Sequence, residues 1–220
     1  NMHMIFTGNP GTGKTTIARI LSKYLKATGA LRGGQLVEVT RADLVGRYVG
    51  HTAPLTNTVI QSALGGVLFI DEAYSLYRGG EDSFGLEAID TLVKGIEDHR
   101  NDLVVILAGY TKEMQLFLSA NSGLASRFPN QIEFPDYTGA ELYKILLSIA
   151  KSKGYRLDES CEQPLTEWFD RRQAEDAATN GNGRMARNAL EKAILNQSRR
   201  LIADPAASLE LLLPGDFELE

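Results

Sequence analysis

The sequence predicts an α/β domain built on a parallel β-sheet, followed by a small all-α domain. Short apolar runs alternate with segments of helical period as far as Pro135-Asp136, which is typical of a chain with helices between parallel strands. The runs are continuously apolar, as expected for strands that are covered on both faces. Beyond Asp136 the pattern is helical only. We therefore expect an α/β domain at residues 1–136 and a helical domain at 137–220.

Strands and helices of the first domain follow from these runs. The predicted strands are Met2–Thr7, Leu36–Val39, Val67–Ile70, Leu103–Ala108 and Gln131–Phe134, and the predicted helices are Lys14–Thr28, 55–64 and 84–100. In the first helix Ile17, Leu21, Tyr24 and Leu25 share one face, and Gly29 ends the helix.

The helical domain is predicted from three apolar faces at helical spacing. They contain, in order, Leu142, Ile145, Leu146 and Ile149; Leu165, Trp168 and Phe169; and Ala186, Leu190, Ala193, Ile194 and Leu201. Residues 174–183 are rich in Ala, Asn and Gly, which predicts an exposed loop. Residues 209–213 are expected to form a short closing strand.

Composition and charge exclude several classes of protein. The 220 residues are 43% hydrophobic and 23% charged, which is ordinary for a folded chain with its own core. Cys161 is the single cysteine, so a disulfide framework and a cysteine zinc site are excluded. The net charge of −5 argues against a general nucleic-acid binder, and no apolar run approaches a membrane span in length. We expect a cytoplasmic protein without a membrane or nucleic-acid partner.

A phosphate-binding loop follows the first predicted strand. The pattern G-x-x-x-x-G-K-[ST] is matched in full by Gly8, Asn9, Pro10, Gly11, Thr12, Gly13, Lys14 and Thr15. Its glycines allow backbone N–H groups to point at phosphate oxygens, and the next helix presents its N-terminus to the same anion. Lys14 is expected to reach the β- and γ-phosphates, and the Thr15 hydroxyl to ligate Mg²⁺.

Two adjacent carboxylates, Asp71 and Glu72, follow the apolar strand Val67–Ile70. Parallel sheets bind ligands at the carboxyl ends of their strands. We expect Asp71 to hold Mg²⁺, through water, and Glu72 to polarise an attacking water molecule, which favours hydrolysis over transfer to an alcohol. The guanine-reading motif Asn-Lys-x-Asp is absent, which favours ATP.

With these motifs in place, the sequence resembles the AAA+ ATPases, and more closely the family of red-type rubisco activases and stage V sporulation protein K. The resemblance covers nearly the whole chain and implies a P-loop NTPase (AAA+) domain followed by an all-α lid. It is carried by residues 43–53 (DLVGRYVGHTA), 69–74 (FIDEAY), 107–110 (LAGY), 126–128 (SRF), 134–137 (FPDY) and 181–190 (GNGRMARNAL).

The resemblance assigns roles to further residues. Tyr48, Val49 and Gly50 match the aromatic–aliphatic–glycine loop that lines the pore of AAA+ hexamers. A tyrosine on such a loop can press on any polypeptide backbone without sequence preference.

Three more roles concern the γ-phosphate. Arg127 matches the arginine finger that acts on a neighbouring subunit. Arg184 matches the sensor-2 arginine of the lid, with Arg187 as the competing candidate. The sensor-1 position aligns with Tyr110, followed by Thr111; either hydroxyl is a candidate to hold the attacking water or the γ-phosphate.

The implied function is ATP hydrolysis coupled to remodelling of a protein client, in a homo-hexameric ring that threads the client through its pore. We favour a sporulation protein K-like role, with red-type rubisco activase as the alternative. A nucleotide-switched scaffold without threading and a small-molecule kinase are alternatives from other classes. AAA+ modules carry a helix and loop before the first strand that cover the adenine. Because the sequence begins at that strand, we expect a missing N-terminal segment and an incomplete base pocket.

Overall fold

The computed structural model describes residues 1–220, which divide into two compact units. The first unit contains Asn1–Gly8 and Gly13–Phe134, and the second contains Asn9–Thr12 and Pro135–Glu220. We call them the sheet unit and the helical unit. No helix in the chain combines the length and apolar character that crossing a membrane requires.

The sheet unit is built on five parallel strands, which confirms the predicted α/β class. The strands are β1 (Met4–Gly8), β2 (Leu36–Val39), β3 (Val67–Ile70), β4 (Val104–Gly109) and β5 (Asn130–Phe134), in the spatial order β2-β3-β4-β1-β5. Every residue of β3 and β4 is buried. Both strands are apolar throughout because alternate side chains enter cores on opposite faces of the sheet.

Six α-helices belong to the sheet unit, and a short 3-10 helix, Ala73–Leu76, follows β3. The α-helices are α1 (Lys14–Ala27), α2 (Arg41–Leu44), α3 (Thr52–Ala63), α4 (Ser83–Asp98), α5 (Thr111–Ala120) and α6 (Ser122–Ala125). Helices α3, α4 and α5 contribute Ile60, Leu92 and Phe117 to the core on one face, whereas α1 contributes Ala18 and Leu25 to the core on the other.

The predicted face of helix α1 is only partly right, because Leu21 and Leu25 pack in the core and Ile17 and Tyr24 do not. Helix α1 buries Ala18, Ser22 and Leu25, whereas Ile17 and Tyr24 are 43% and 61% exposed. The sequence offers two overlapping apolar stripes, and the small side chains of Ala18 and Ser22 allow the closer approach to the sheet.

The helical unit has its own apolar core, formed mainly by three helices. These are α7 (Gly139–Ser152), α8 (Glu162–Asp176) and α9 (Asn182–Ala203), and a short parallel pair joins β6 (Arg156–Leu157) to β7 (Leu211–Leu212). Strand β7 lies inside the predicted closing strand. The loop predicted at 174–183 is shorter than expected and only partly exposed. Helix α8 extends to Asp176, and Gly181 and Asn182 are buried because the Asn182 amide finds polar partners.

Candidate active site

The carboxyl edge of the sheet brings several predicted site residues together. Strand β4 lies between β1 and β3, so the segments that follow these three strands share one edge. Gly8 ends β1, Asp71 follows β3, and Tyr110 follows β4. The predicted metal ligand and the predicted sensor-1 residue therefore lie at the same edge as the start of the phosphate loop.

Lys14, the first residue of α1, is anchored at this edge. Its ammonium Nζ donates a hydrogen bond of 2.8 Å to the Gly8 carbonyl. Burial lowers the pKa of Lys14, and the negative charge of Asp71 opposes that shift. The ammonium is thus partly desolvated and within electrostatic reach of Asp71, an arrangement suited to holding an anion.

The start of α1 also suits an anion. Gly13 is the N-cap, with a φ of 95° that only glycine adopts easily, and no side chain caps the helix. The N–H groups of a first helical turn have no partner within the helix. Phosphate oxygens are the natural acceptors for such groups when a phosphate loop precedes the helix.

Asp71 and Glu72 lie on a sharply bent backbone after β3. Glu72 has left-handed dihedral angles, φ 48° and ψ 47°, which cost a non-glycine residue about 1–3 kcal/mol. Its carbonyl accepts hydrogen bonds from the Ser75 amide (2.9 Å) and hydroxyl (2.7 Å). This strained backbone presents the Glu72 carboxylate as an exposed group, as a residue acting on a reactant requires.

Tyr74 is a neighbour that the sequence did not single out. Its ring packs against that of Tyr110, with centroids 5.9 Å apart. Burial, followed by the negative charge of Glu72, raises the pKa of Tyr74 to about 12. The hydroxyl therefore stays protonated near neutral pH. Only the contact between the two rings reveals Tyr74, because FIDEAY contains no separate signal for it.

The residues present could hold Mg²⁺ only if a bound phosphate supplied further ligands to the ion. No group of three or more His, Cys, Asp or Glu side chains in residues 1–220 could hold a metal ion by itself. Thr15 and Asp71 supply one hydroxyl and one carboxylate. Mg²⁺ is commonly held by one or two such protein groups together with phosphate oxygens and water.

The middle of the phosphate loop belongs to the helical unit and is held there by hydrogen bonds. The Gly11 carbonyl accepts from the Gly183 amide (2.8 Å), and the Thr12 carbonyl accepts from the Tyr137 hydroxyl (2.9 Å). Gly11 has a φ of +75°, and a Cβ there would lie 3.0 Å from the backbone nitrogens of Gly183 and Arg184. Both observations require glycine at position 11.

Asn182 is a functional candidate that sequence reasoning missed. Its side chain is fully buried; the Oδ1 atom accepts from the Tyr137 amide and from Gln173 Nε2, each at 2.8 Å. Its Nδ2 donates to Asp136 Oδ1 (2.9 Å), which also accepts from Asn9 Nδ2 (2.8 Å). This network links the loop to the beginning of α9. No local sequence pattern predicts it.

Arg184 and Arg187 are both exposed on the first turns of α9. Arg184 Nη1 donates to the Thr179 carbonyl (3.3 Å). Its backbone nitrogen is one of the two, with that of Gly183, that lie beside Gly11. The backbone of Arg184 thus adjoins the loop, whereas its guanidinium bonds within its own unit, and the choice between Arg184 and Arg187 for sensor-2 stays a prediction.

The loop at residues 46–51 has an exposed tip on an anchored base. Tyr48 and Val49 are 67% and 87% exposed, and the Tyr48 ring meets His51 edge-on at 5.5 Å. At the base, the fully buried Thr52 hydroxyl accepts from the Gly46 amide at 3.0 Å. An aromatic and an aliphatic side chain are therefore presented to solvent on a loop whose base is fixed.

Arg127 is held within its own sheet unit. Its guanidinium forms an ion pair with Glu97, near the end of α4, and donates to the Gly123 carbonyl (2.5 Å). The Nε atom is buried without a partner. In the single chain the predicted finger thus contacts a carboxylate, a group that resembles phosphate in charge and geometry.

Comparisons with known proteins match both parts of the chain. Residues 4–136 match the family described as "ATPase family associated with various cellular activities (AAA)", and residues 138–220 match the AAA lid domain. Stage V sporulation protein K of Bacillus subtilis is 49% identical over 202 residues, which cover 91% of this chain and 63% of that protein. The chloroplastic ribulose bisphosphate carboxylase/oxygenase activase of Cyanidioschyzon merolae is 46% identical, covering 94% of this chain and 71% of that protein.

Solved structures share the fold at low sequence identity. The FIGL-1 AAA domain in complex with ADP has a TM-score of 0.67 at 18% identity and covers 98% of this chain and 69% of its own. A RuvB mutant of Thermotoga maritima has a TM-score of 0.66 at 22% identity, with 98% and 60% covered. The chain spans 63% to 71% of the lengths of the two curated relatives above.

Proposed function

Because this chain belongs to the ATPase family associated with various cellular activities, in the group of stage V sporulation protein K and the red-type rubisco activases, we propose that it hydrolyses ATP to remodel a protein client. The observation that carries the proposal is the meeting of Lys14, Gly8 and Asp71 at the carboxyl edge of the sheet. The partly desolvated ammonium of Lys14 lies near the Asp71 carboxylate and at the start of a helix that no side chain caps. Together these groups suit a phosphate ligand with its metal ion.

In this proposal each residue of the edge has one task. Lys14 binds the β- and γ-phosphates, while Thr15 and Asp71 hold Mg²⁺, Asp71 through water. When bound, Mg²⁺ neutralises charge on the phosphate oxygens. Glu72 orients a water molecule and accepts its proton, and the Tyr110 hydroxyl, with Thr111 as the alternative, holds that water or the γ-phosphate.

Ring assembly completes the site in trans. We place Arg127 at the γ-phosphate of a neighbouring subunit in a homo-hexamer, where its guanidinium exchanges the Glu97 carboxylate for phosphate oxygens. Arg184, an arginine of the lid domain, contacts the γ-phosphate in this proposal and loses that contact after hydrolysis. Activity then depends on contact between subunits, because no single chain supplies both the loop and the finger to one nucleotide.

The client contact is assigned to the exposed loop. Tyr48 and Val49 grip a polypeptide in the pore, and the high exposure of both side chains supports this. We favour a client like that of stage V sporulation protein K and keep a rubisco-activating role as the alternative, and the relatives of the two kinds are 49% and 46% identical to this chain. A scaffold without threading would not depend on Tyr48, so Tyr48→Ala separates it from a threading enzyme.

Glu72→Gln tests the hydrolytic role directly. In the assembled protein we expect ATP affinity close to that of the parent and kcat lower by about 10²–10⁴-fold, since general-base catalysis contributes that much. Turnover is followed by phosphate release and binding by titration. Glu81→Gln, which neutralises another exposed carboxylate, is the matched control and should retain the parent rate. An active, assembled Glu72→Gln variant with unchanged kcat would contradict the assignment.

A further inference from the structure

Two consecutive peptide groups of the phosphate loop are fixed by donors of the helical unit. The carbonyl of Gly11 accepts from the Gly183 amide, and that of Thr12 accepts from the Tyr137 hydroxyl, at 2.8 Å and 2.9 Å. A third bond within the loop runs from the Thr12 hydroxyl to the Asn9 carbonyl at 2.8 Å. These three hydrogen bonds give the loop a defined backbone orientation.

Fixing a carbonyl also fixes the N–H of the following residue. The chain has no cis peptide bond, and in a planar trans peptide the C=O and N–H point in opposite directions. With the Gly11 and Thr12 carbonyls directed at Gly183 and Tyr137, the N–H groups of Thr12 and Gly13 are directed away from those donors. Successive N–H groups turned to one side make an anion-binding concavity.

Tyr137 is itself held from both sides of its backbone. Its amide donates to Asn182 Oδ1 (2.8 Å), and its carbonyl accepts from Gln173 Nε2 (2.7 Å). Burial, and then the negative charge of Glu141, raises the pKa of the Tyr137 hydroxyl. The hydroxyl therefore remains a donor at neutral pH, and its position is set by two amide side chains that do not titrate.

We propose that Tyr137 is a positioning residue for phosphate binding. Its hydroxyl, backed by Asn182 and Gln173, holds the peptide group between Thr12 and Gly13 so that the Gly13 N–H points toward the phosphate. This inference rests on the proposed ATP-binding function and adds a residue of the helical unit to it. Tyr137 should affect binding of the polyphosphate chain rather than of the base, because its hydroxyl bonds to the backbone of the phosphate loop.

Tyr137→Phe tests the proposal with little change in shape. The ring stays, and one hydroxyl is lost from a half-buried position. We expect the Kd values of ATP, ADP and inorganic tripolyphosphate to rise by about three- to tenfold, the range for one lost neutral hydrogen bond. Titration calorimetry on the assembled protein gives all three values. Tripolyphosphate isolates the phosphate contacts, because it has no base.

Tyr143→Phe is the matched control, since Tyr143 lies in the same unit with its ring in the apolar core. It should leave all three affinities at the parent values. The proposal is overturned if Tyr137→Phe binds tripolyphosphate as tightly as the parent does. It is also overturned if both variants weaken binding equally, which would indicate a general effect of the helical core. A parent that binds no nucleotide would instead refute the proposed function itself.

Discussion

The carboxyl edge of the sheet unit and the loop segment Asn9–Thr12 of the helical unit hold their candidate residues by different means. At the sheet edge, Asp71 and Tyr110 follow strands whose every residue is buried in apolar cores. In the helical unit, the loop is held by a polar network centred on the buried Asn182. Apolar burial is non-directional, whereas a buried polar network stabilises only when each member is satisfied.

The difference implies that substitutions in the two regions have different consequences. Removal of a polar side chain at the sheet edge should reduce catalysis and leave stability nearly intact, because the apolar strands position the edge. Removal of a polar side chain from the network leaves buried donors and acceptors unpaired, which costs stability as well as phosphate affinity.

Arg127 gives the largest expected effect and extends the comparison to the opposite end of the sheet, because it precedes β5 and lies near the amino ends of β1 and β5. Arg127→Ala should lower kcat of the assembled protein by about 10³–10⁵-fold, the contribution of a finger in related phosphoryl-transfer sites. Stability should change little, since Glu97, its ion-pair partner, has an exposed carboxylate that water can solvate. ATPase rates and thermal unfolding measure the two effects.

Mixed subunits distinguish a finger that acts in trans from one that acts within its own chain. Arg127→Ala subunits retain their phosphate loops, and Lys14→Ala subunits retain their fingers. Neither should hydrolyse ATP alone, and mixing them should restore part of the activity. Arg100→Ala, at an exposed arginine just beyond α4, is the control and should keep the parent rate. Parent-level activity of Arg127→Ala alone would refute the role.

The sequence predicted the sheet edge well because its signals are local. Strands β3 and β4 are solid apolar runs, and Asp71-Glu72 follows the first of them directly. The phosphate loop was likewise predicted from eight consecutive residues. Period and spacing are enough for such features, since each is specified within one short segment.

The polar network was not predicted because its contacts are distant in sequence. Asn182 bonds to a residue 45 positions away, and Tyr137 bonds to one 125 positions away. Composition alone favoured an exposed loop for Asn182, because buried asparagine is rare unless every polar atom has a partner. Helices α2, α5 and α6 were also missed. Helices α2 and α6 have four residues each, and the apolar face of α5 is limited to Met114, Phe117 and Leu118.

Asn182→Ala tests the second half of the comparison. The change leaves the Tyr137 amide without its acceptor and removes one of the two acceptors of Gln173 Nε2, which keeps the Tyr137 carbonyl. It also places alanine at a φ of 58°, which asparagine tolerates better. We expect the free energy of unfolding of the helical unit to fall by about 2–4 kcal/mol.

Denaturant unfolding followed by Trp168 fluorescence measures that loss, because Trp168 packs against the core of the same unit. Asn180→Ala is the control: Asn180 is exposed two positions earlier and should change stability by less than about 0.5 kcal/mol. Equal stability of the two variants would show that the network does not hold the helical unit.

His3 provides the smallest expected effect and a pH test of the sheet unit. Its side chain is 3% exposed, and its Nδ1 accepts a hydrogen bond from the Val105 amide (3.0 Å). Burial lowers the pKa of His3 from 6.5 to about 4. Between these values the unfolded chain binds a proton that the folded chain does not. Stability from this group is therefore complete above about pH 6.5 and is lost as the pH falls toward 4.

His3→Gln isolates the contribution of His3 from that of the carboxylates that titrate in the same range. Glutamine keeps an acceptor for the Val105 amide and removes the titration. Hydrogen exchange of the β4 amides at pH 7 and pH 5, corrected for the intrinsic pH dependence of exchange, gives the local opening free energy of the sheet unit. We expect the parent to lose more protection than His3→Gln between the two pH values, while the helical unit, whose network is centred on two neutral amides, shows no difference between the proteins. Parallel pH profiles for parent and variant would mean that His3 is protonated in the folded sheet unit as readily as in the unfolded chain.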